Sequence, residues 1–191
     1  MKILRYQLGE DDPAYGILRE DDSIFRLLGS PFKDFEEGEK VAELGSARVL
    51  PPVEPTKIIG VGLNYVSHIE ESGLPTPAFP MLFVKPTTAI IGPGDAIVYP
   101  IKGQQVEYEA ELAVVIGKAA RHVTEDQALA YVLGYTCGND VSERVIQLAE
   151  MAMGALLVAK GFDTFNPIGP VIATDLDPTN LEVKSFLNGQ A

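Results

Sequence analysis

The chain has 191 residues, 15 Lys and Arg against 27 Asp and Glu, a formal net charge of -12 and 46% apolar residues. That composition fits a globular protein, not a disordered tail, and its acidity argues against nucleic-acid binding, which needs clustered Lys and Arg. No apolar run approaches a membrane span, and the single Cys137 excludes an internal disulfide framework or a Cys-based zinc site. The opening MKILRYQLGEDD turns acidic too soon for a signal peptide, so a reducing, cytoplasmic setting is the expectation.

Met1 to Gln7, Ala14 to Glu20 and Ser23 to Leu28 are short segments rich in β-branched, aromatic and long apolar residues. The polar turns GEDDP and EDD separate them, as in a β-meander. An acidic stretch, Asp34 to Glu39, leads to an apolar segment near Val41. Pro51, Pro52 and Pro55 then stiffen an extended connector. This predicts a small β-rich N-terminal domain over 1–52 and a second domain over 57–191.

The second unit opens on Ile58 to Leu63, an apolar run closed by glycines that reads as a buried strand. Asn64 to Glu71 predicts one or two helical turns, Met81 to Val84 a strand, and Gly92 to Asp95 a turn between Ile90-Ile91 and Ala96 to Tyr99. Val106 to Ile116 is the clearest strand. Its alternation puts Glu107, Glu109 and Glu111 on one face and Tyr108, Ala110, Leu112, Val114 and Ile116 on the other. Beyond Glu111 both faces are apolar, as in a strand running from an open site into a core. Thr124 and Gln127 make a capping-box pattern at a short helix, Asp126 to Tyr131. Val132 to Cys137 reads as a strand. Ser142 to Ala159 reads as a helix, with Val145, Leu148, Ala149, Met153 and Leu156 as its apolar positions and Met151 and Met153 in the core. Short strands are expected near Val171-Ile172 and over Leu181 to Leu187. Mixed strands and two helices predict an α+β, β-rich fold.

Two carboxylates at i and i+2 on a strand point the same way, so Glu109 and Glu111 can share one hard cation such as Mg²⁺, Ca²⁺ or Mn²⁺. Asp140, between a strand and a helix, is the candidate third ligand. Spacing alone leaves open a solvated acidic face. His68 and Glu71 meet across one helical turn, where the carboxylate can orient an imidazole base; a surface pair without a role is the other reading. Lys85 and Lys160, each at the end of an element, can bind a substrate carboxylate or be plain solvated lysines. Arg144 opposes the helix dipole, which favours a specific partner, either Asp140 or a substrate. His122 reads as a surface residue. No P-loop, dinucleotide fingerprint, HExxH or G-x-S-x-G competes.

The stretches KIIGVGLNYVSHIEE, FVKPTTAIIGPGDAIVYP, VEYEAELAVVIGKAA, LGYTCGNDVSER and AKGFDTFNPIGPVIAT follow one another in an order that resembles the fumarylacetoacetate hydrolase family. The similar branch holds acylpyruvate hydrolases, oxaloacetate decarboxylases and 2-hydroxyhepta-2,4-diene-1,7-dioate isomerases. The resemblance implies a mixed β-sandwich roll, usually a homodimer. It also implies a divalent cation (Mg²⁺, or Mn²⁺ or Ca²⁺) on Glu109, Glu111 and Asp140, a water-activating dyad of His68 and Glu71, and Lys160 holding substrate oxygens. Lys85 would lie near the entrance or be structural. The implied reaction is cleavage of a C–C bond in a 2-oxo acid or acylpyruvate through a metal-stabilised enolate. The alternatives are isomerisation or decarboxylation of an aromatic-catabolism diacid, or a truncated homologue that binds metal without turnover. Three departures stand out: Arg144-Val145 where relatives have Arg-Asp, no tryptophan before AKGFD, and an end at LNGQA where relatives continue for several strands. The first two concern the pocket, not the triad; the last predicts a catalytic domain truncated at its C-terminus.

Overall fold

The computed structural model describes residues 1–190. Alternating apolar residues bring the N-terminal segments together as a meander. Strands β1 (Lys2–Gln7), β2 (Ala14–Leu18) and β3 (Ser23–Gly29) pair antiparallel in sequence order. The acidic stretch is itself the next strand, β4 (Phe35–Glu43), where the sequence placed only a segment near Val41. Four glutamates and one lysine line this outermost strand, and charge on an open edge discourages pairing with another chain. A short β5 (Arg48–Leu50) pairs with β1.

The N-terminal meander does not stand apart as a sheet. In the nine-stranded sheet β1 also pairs with β13 (Asn166–Ala173), while β10 (Ala110–Ile116) and β11 (Val132–Asn139) extend it to the far edge. The path runs β10, β11, β13, β1, β2, β3, β4. Among the remaining strands, β6 (Ile58–Gly62) pairs with β7 (Met81–Lys85), β8 (Ile90–Ile91) runs parallel to β13, and β9 (Val106–Glu107) pairs with β12 (Ser142–Glu143). Two helices, α1 (Val66–Ser72) and α2 (Arg144–Ala152), complete a β-rich α+β fold. Neither is long and apolar enough to cross a membrane.

Apolar side chains cover both faces of the sheet's centre. Ile3, Ile17, Leu27, Val115 and Ile172 form one buried cluster; Leu4, Tyr6 and Ile24 form the other. Each fully buried side chain of this size contributes about 1.5–3 kcal/mol. Gly16 is required here, because a Cβ would stand 2.7 Å from Ile24 and 2.9 Å from Tyr6.

Several expected elements differ. The strand over 106–116 breaks at Tyr108-Glu109 into β9 and β10. In β10 the buried parity is that of Val115, shared with Glu111, while Val114 and Ile116 are half exposed. Its core face is therefore the carboxylate face continued. The run Ile58 to Gly62 is only partly buried, with Ile59 exposed. The 125–131 segment is a 3-10 turn that begins at Thr124 without a side-chain cap. No strand forms over Leu181 to Leu187; a lone bridge joins Leu187 to Gln190. The long helix ends at Ala152, and Val145, Leu148, Met151 and Met153 are exposed. Its one buried residue is Glu150, so a carboxylate and not the apolar stripe orients α2.

Candidate metal centre

The break before β10 is made by its neighbour. Asn139 accepts the Glu109 N–H on its side-chain oxygen at 3.0 Å, and the Asp140 N–H donates to the Glu109 carbonyl at 3.0 Å. This exchange at the end of β11 takes Glu109 out of the regular ladder and sets it beside Asp140. Oxygens of Glu109, Glu111 and Asp140 lie within 4.8 Å of one another. Three hard oxygen donors at that spacing fit a divalent cation such as Mg²⁺, Ca²⁺ or Mn²⁺.

Buried cations face the triad. The Lys160 ammonium donates to Glu109 at 2.9 Å and to Asp140 at 2.6 Å, and lies 5.4 Å from the Phe83 ring centroid. Gly60 makes room for that ring, which a Cβ would meet at 2.2 Å. Lys85 pairs with Asp140 and donates to the Val141 carbonyl at 3.3 Å. It is 2% exposed, so it is an interior counter-charge and not an entrance residue. Arg144 reaches Glu107 at 2.7 Å, Glu109 at 2.6 Å and Gln147 at 2.7 Å; its expected partner Asp140 is not among them.

Glu111 alone of the triad has no ion pair among the described residues. Burial, then the charges of Asp140 and Glu109, push its carboxyl up to about 7. Burial acts the same way on Glu109, but Lys160 and Arg144 outweigh it and hold that carboxyl below its ordinary value. Burial lowers the Lys85 ammonium against the pull of Asp140.

Glu109, Glu111, Asp140, Arg144 and Lys160 line a cavity of about 200 Å³. His68, on α1, lines the same cavity, and α1 has no buried residue. Tyr65, at the N-terminal end of α1, ties it to β10 by accepting the Leu112 N–H at 3.2 Å. Glu71 lies on the same helix outside the cavity lining, and no hydrogen bond joins it to His68 among the described residues. His122 is exposed and does not line this cavity. Asn139, Gln147 and Phe83 escaped sequence reasoning. Asn139 had a signal, an amide directly before the candidate ligand at a strand end.

The comparisons with known proteins agree with this geometry. The model of the fumarylacetoacetate (FAA) hydrolase C-terminal family matches residues 57–191. The chain belongs to the fumarylacetoacetate hydrolase family. A second model, Rv2993c-like, N-terminal, matches residues 1–52. An uncharacterized protein of Archaeoglobus fulgidus is 50% identical over 147 residues, which are 77% of this chain and 58% of that protein. Oxaloacetate tautomerase FAHD2A, mitochondrial, of Homo sapiens is 42% identical over 73% of this chain and 45% of its own length. The chain thus spans about half the length of these two family members. The crystal structure of 5-carboxymethyl-2-hydroxymuconate delta-isomerase from Mycobacterium smegmatis superposes with a TM-score of 0.88 and 37% identity, over all of this chain and 73% of that one. Relatives in the fumarylacetoacetate hydrolase family carry enzyme names; this chain has the fold of the superposed isomerase and an acidic triad that could hold a metal ion.

Proposed function

We propose that the protein is a divalent-metal-dependent enzyme acting on a small 2-oxo acid or acylpyruvate, breaking a C–C bond by hydrolysis or decarboxylation. The observation that carries this reading is the triad of Glu109, Glu111 and Asp140, with Lys160 beside it and His68 lining the same cavity. A cation held by those carboxylates supplies Lewis-acid polarisation of keto and carboxylate oxygens. Local charge supports an anionic ligand. The cavity lining carries Lys160 and Arg144 against three carboxylates, so a bound dication leaves it positive.

In this reading Lys160 and Arg144 orient the substrate carboxylate, and His68 takes a proton from water in the same cavity, oriented by Glu71 as α1 settles on the substrate. Lys85 supplies Asp140 with a buried counter-charge. Proton transfer without bond cleavage is the second reading, supported by the tautomerase and isomerase names among relatives. We place the division between domains at the prolines, with a homodimer as the working assembly. An activity panel with and without Mg²⁺, covering acylpyruvates, oxaloacetate and catechol-pathway diacids, tests this. New carbonyl products or CO₂ mark cleavage; loss of enol absorbance without them marks tautomerisation. Metal-independent turnover, or none across the panel, overturns the proposal.

A further inference from the structure

Glu150 is 8% exposed and makes no ion pair among the described residues. Its oxygens accept the Val158 N–H at 2.8 Å, the Ala159 N–H at 2.9 Å and the Leu157 N–H at 3.2 Å. Three consecutive donors thus converge on one carboxylate directly before Lys160. Ala159, wholly buried, is held from its other side too, because its carbonyl accepts the Glu143 N–H at 3.0 Å. Gly161 follows Lys160, and a Cβ there would stand 2.6 Å from the Leu157 carbonyl. The Gly161 N–H donates to the Val158 carbonyl at 3.1 Å, so the backbone is held on both sides of the lysine.

We propose that Glu150 is a positioning residue that holds the Lys160 ammonium against Glu109 and Asp140, and thereby sets the affinity of the triad for its cation. The second half rests on the reading of the triad as a cation site. An ammonium in contact with two of three ligands opposes a dication by like charge, so its placement tunes affinity. The three N–H donors call for a carboxylate. Glutamine offers one acceptor oxygen and turns an NH₂ toward the other donors.

The test uses protein labelled with ¹³C-lysine, with the Lys160 Cε signal assigned through Lys160→Met, together with calorimetric Mg²⁺ titration. In Glu150→Gln the Lys160 signal should move toward the positions of solvated lysines, with Glu150→Asp between. Mg²⁺ binding should tighten by about tenfold in Lys160→Met and part of the way in Glu150→Gln. The double variant should bind no tighter than Lys160→Met alone. An unmoved Lys160 signal in the folded variant, or additive effects in the double variant, overturns the proposal. Should Glu150→Gln fail to fold, Glu150→Asp keeps the charge and decides on the same readouts. If the wild-type protein takes up no Mg²⁺, the cation-site reading fails, and the Lys160 signal alone decides the positioning role.

Discussion

The two ends of the central sheet bury different chemistry. Around β1 to β3 the interior is hydrocarbon: Ile3, Leu4 and Ile24 are wholly buried. Around β10, β11 and α2 the buried residues include Lys85, Asp140, Glu143, Glu150 and Lys160. Hydrocarbon burial is favourable in itself, whereas buried charge persists only where partners compensate its lost hydration. The first end explains why the chain folds; the second holds the candidate metal centre.

The largest expected effect breaks the charged end. Asp140→Ala leaves Lys85 and Lys160 without a shared counter-charge and should destabilise by about 3–5 kcal/mol in urea denaturation. Ile172→Ala in the hydrocarbon end should cost a similar ~2–5 kcal/mol. The two losses differ in cure. Adding Lys85→Met and Lys160→Met should restore much of the stability of Asp140→Ala, while no charge change repairs the cavity at Ile172. Equal resistance to rescue would erase the distinction.

Next comes acid. Burial raises the Glu143 carboxyl, but N–H donation from Gln105, Ile146 and Gln104 outweighs it and holds the group below its ordinary 4.5. A depressed carboxyl stabilises the fold above that value and loses the contribution as pH falls through its lowered one. Glu143→Gln should therefore lower stability at neutral pH and flatten the acid limb of the stability profile.

Glu111 has the opposite sign. Its carboxyl, raised to about 7, makes the metal-free fold bind a proton more tightly than the unfolded chain does. Stability of the metal-free protein should thus decline as pH rises from about 4.5 to 7. Mg²⁺ affinity should rise through about pH 7 and level off above, since the cation displaces that proton. Calorimetry at several pH values checks this, and Glu111→Gln should remove both dependences.

The smallest effect on stability belongs to α1. His68→Ala and Glu71→Ala lie on a helix with no buried residue and should change unfolding free energy by less than about 0.5 kcal/mol. On the proposed mechanism they should lower turnover by about 10²–10⁴. A large stability loss here would place the pair in the scaffold instead of the chemistry.

Much of this was legible in the sequence, because local pattern determines it. The meander, the helix at His68 and the E-x-E spacing of Glu109 and Glu111 all follow from periodicity. What periodicity missed depends on partners distant in sequence. The break at Glu109 arises from Asn139, thirty residues on, and the end of α2 coincides with the capture of the 157–159 N–H groups by Glu150. The apolar spacing of Leu148 and Met153 suggested a core face, yet the buried position belongs to a glutamate. Charges inside an otherwise apolar helix were the clue to Glu150. Nothing local distinguished Lys85 as an interior residue, since Lys before Pro is equally at home on a surface.

The glutamates of β4 give the sheet two unlike borders. One carries four glutamates and a lysine, with Glu37 and Glu43 ion-paired; the other, β10, carries Glu111 as its only charged residue. Ionic strength acts more strongly on the charged border than on β10, because repulsion there reaches only about 10 Å at 0.1 M salt and less as salt rises. Added salt should therefore bring molecules together first along the border where water and charge had kept them apart, a colloidal response set by five charged residues outside the cavity lining.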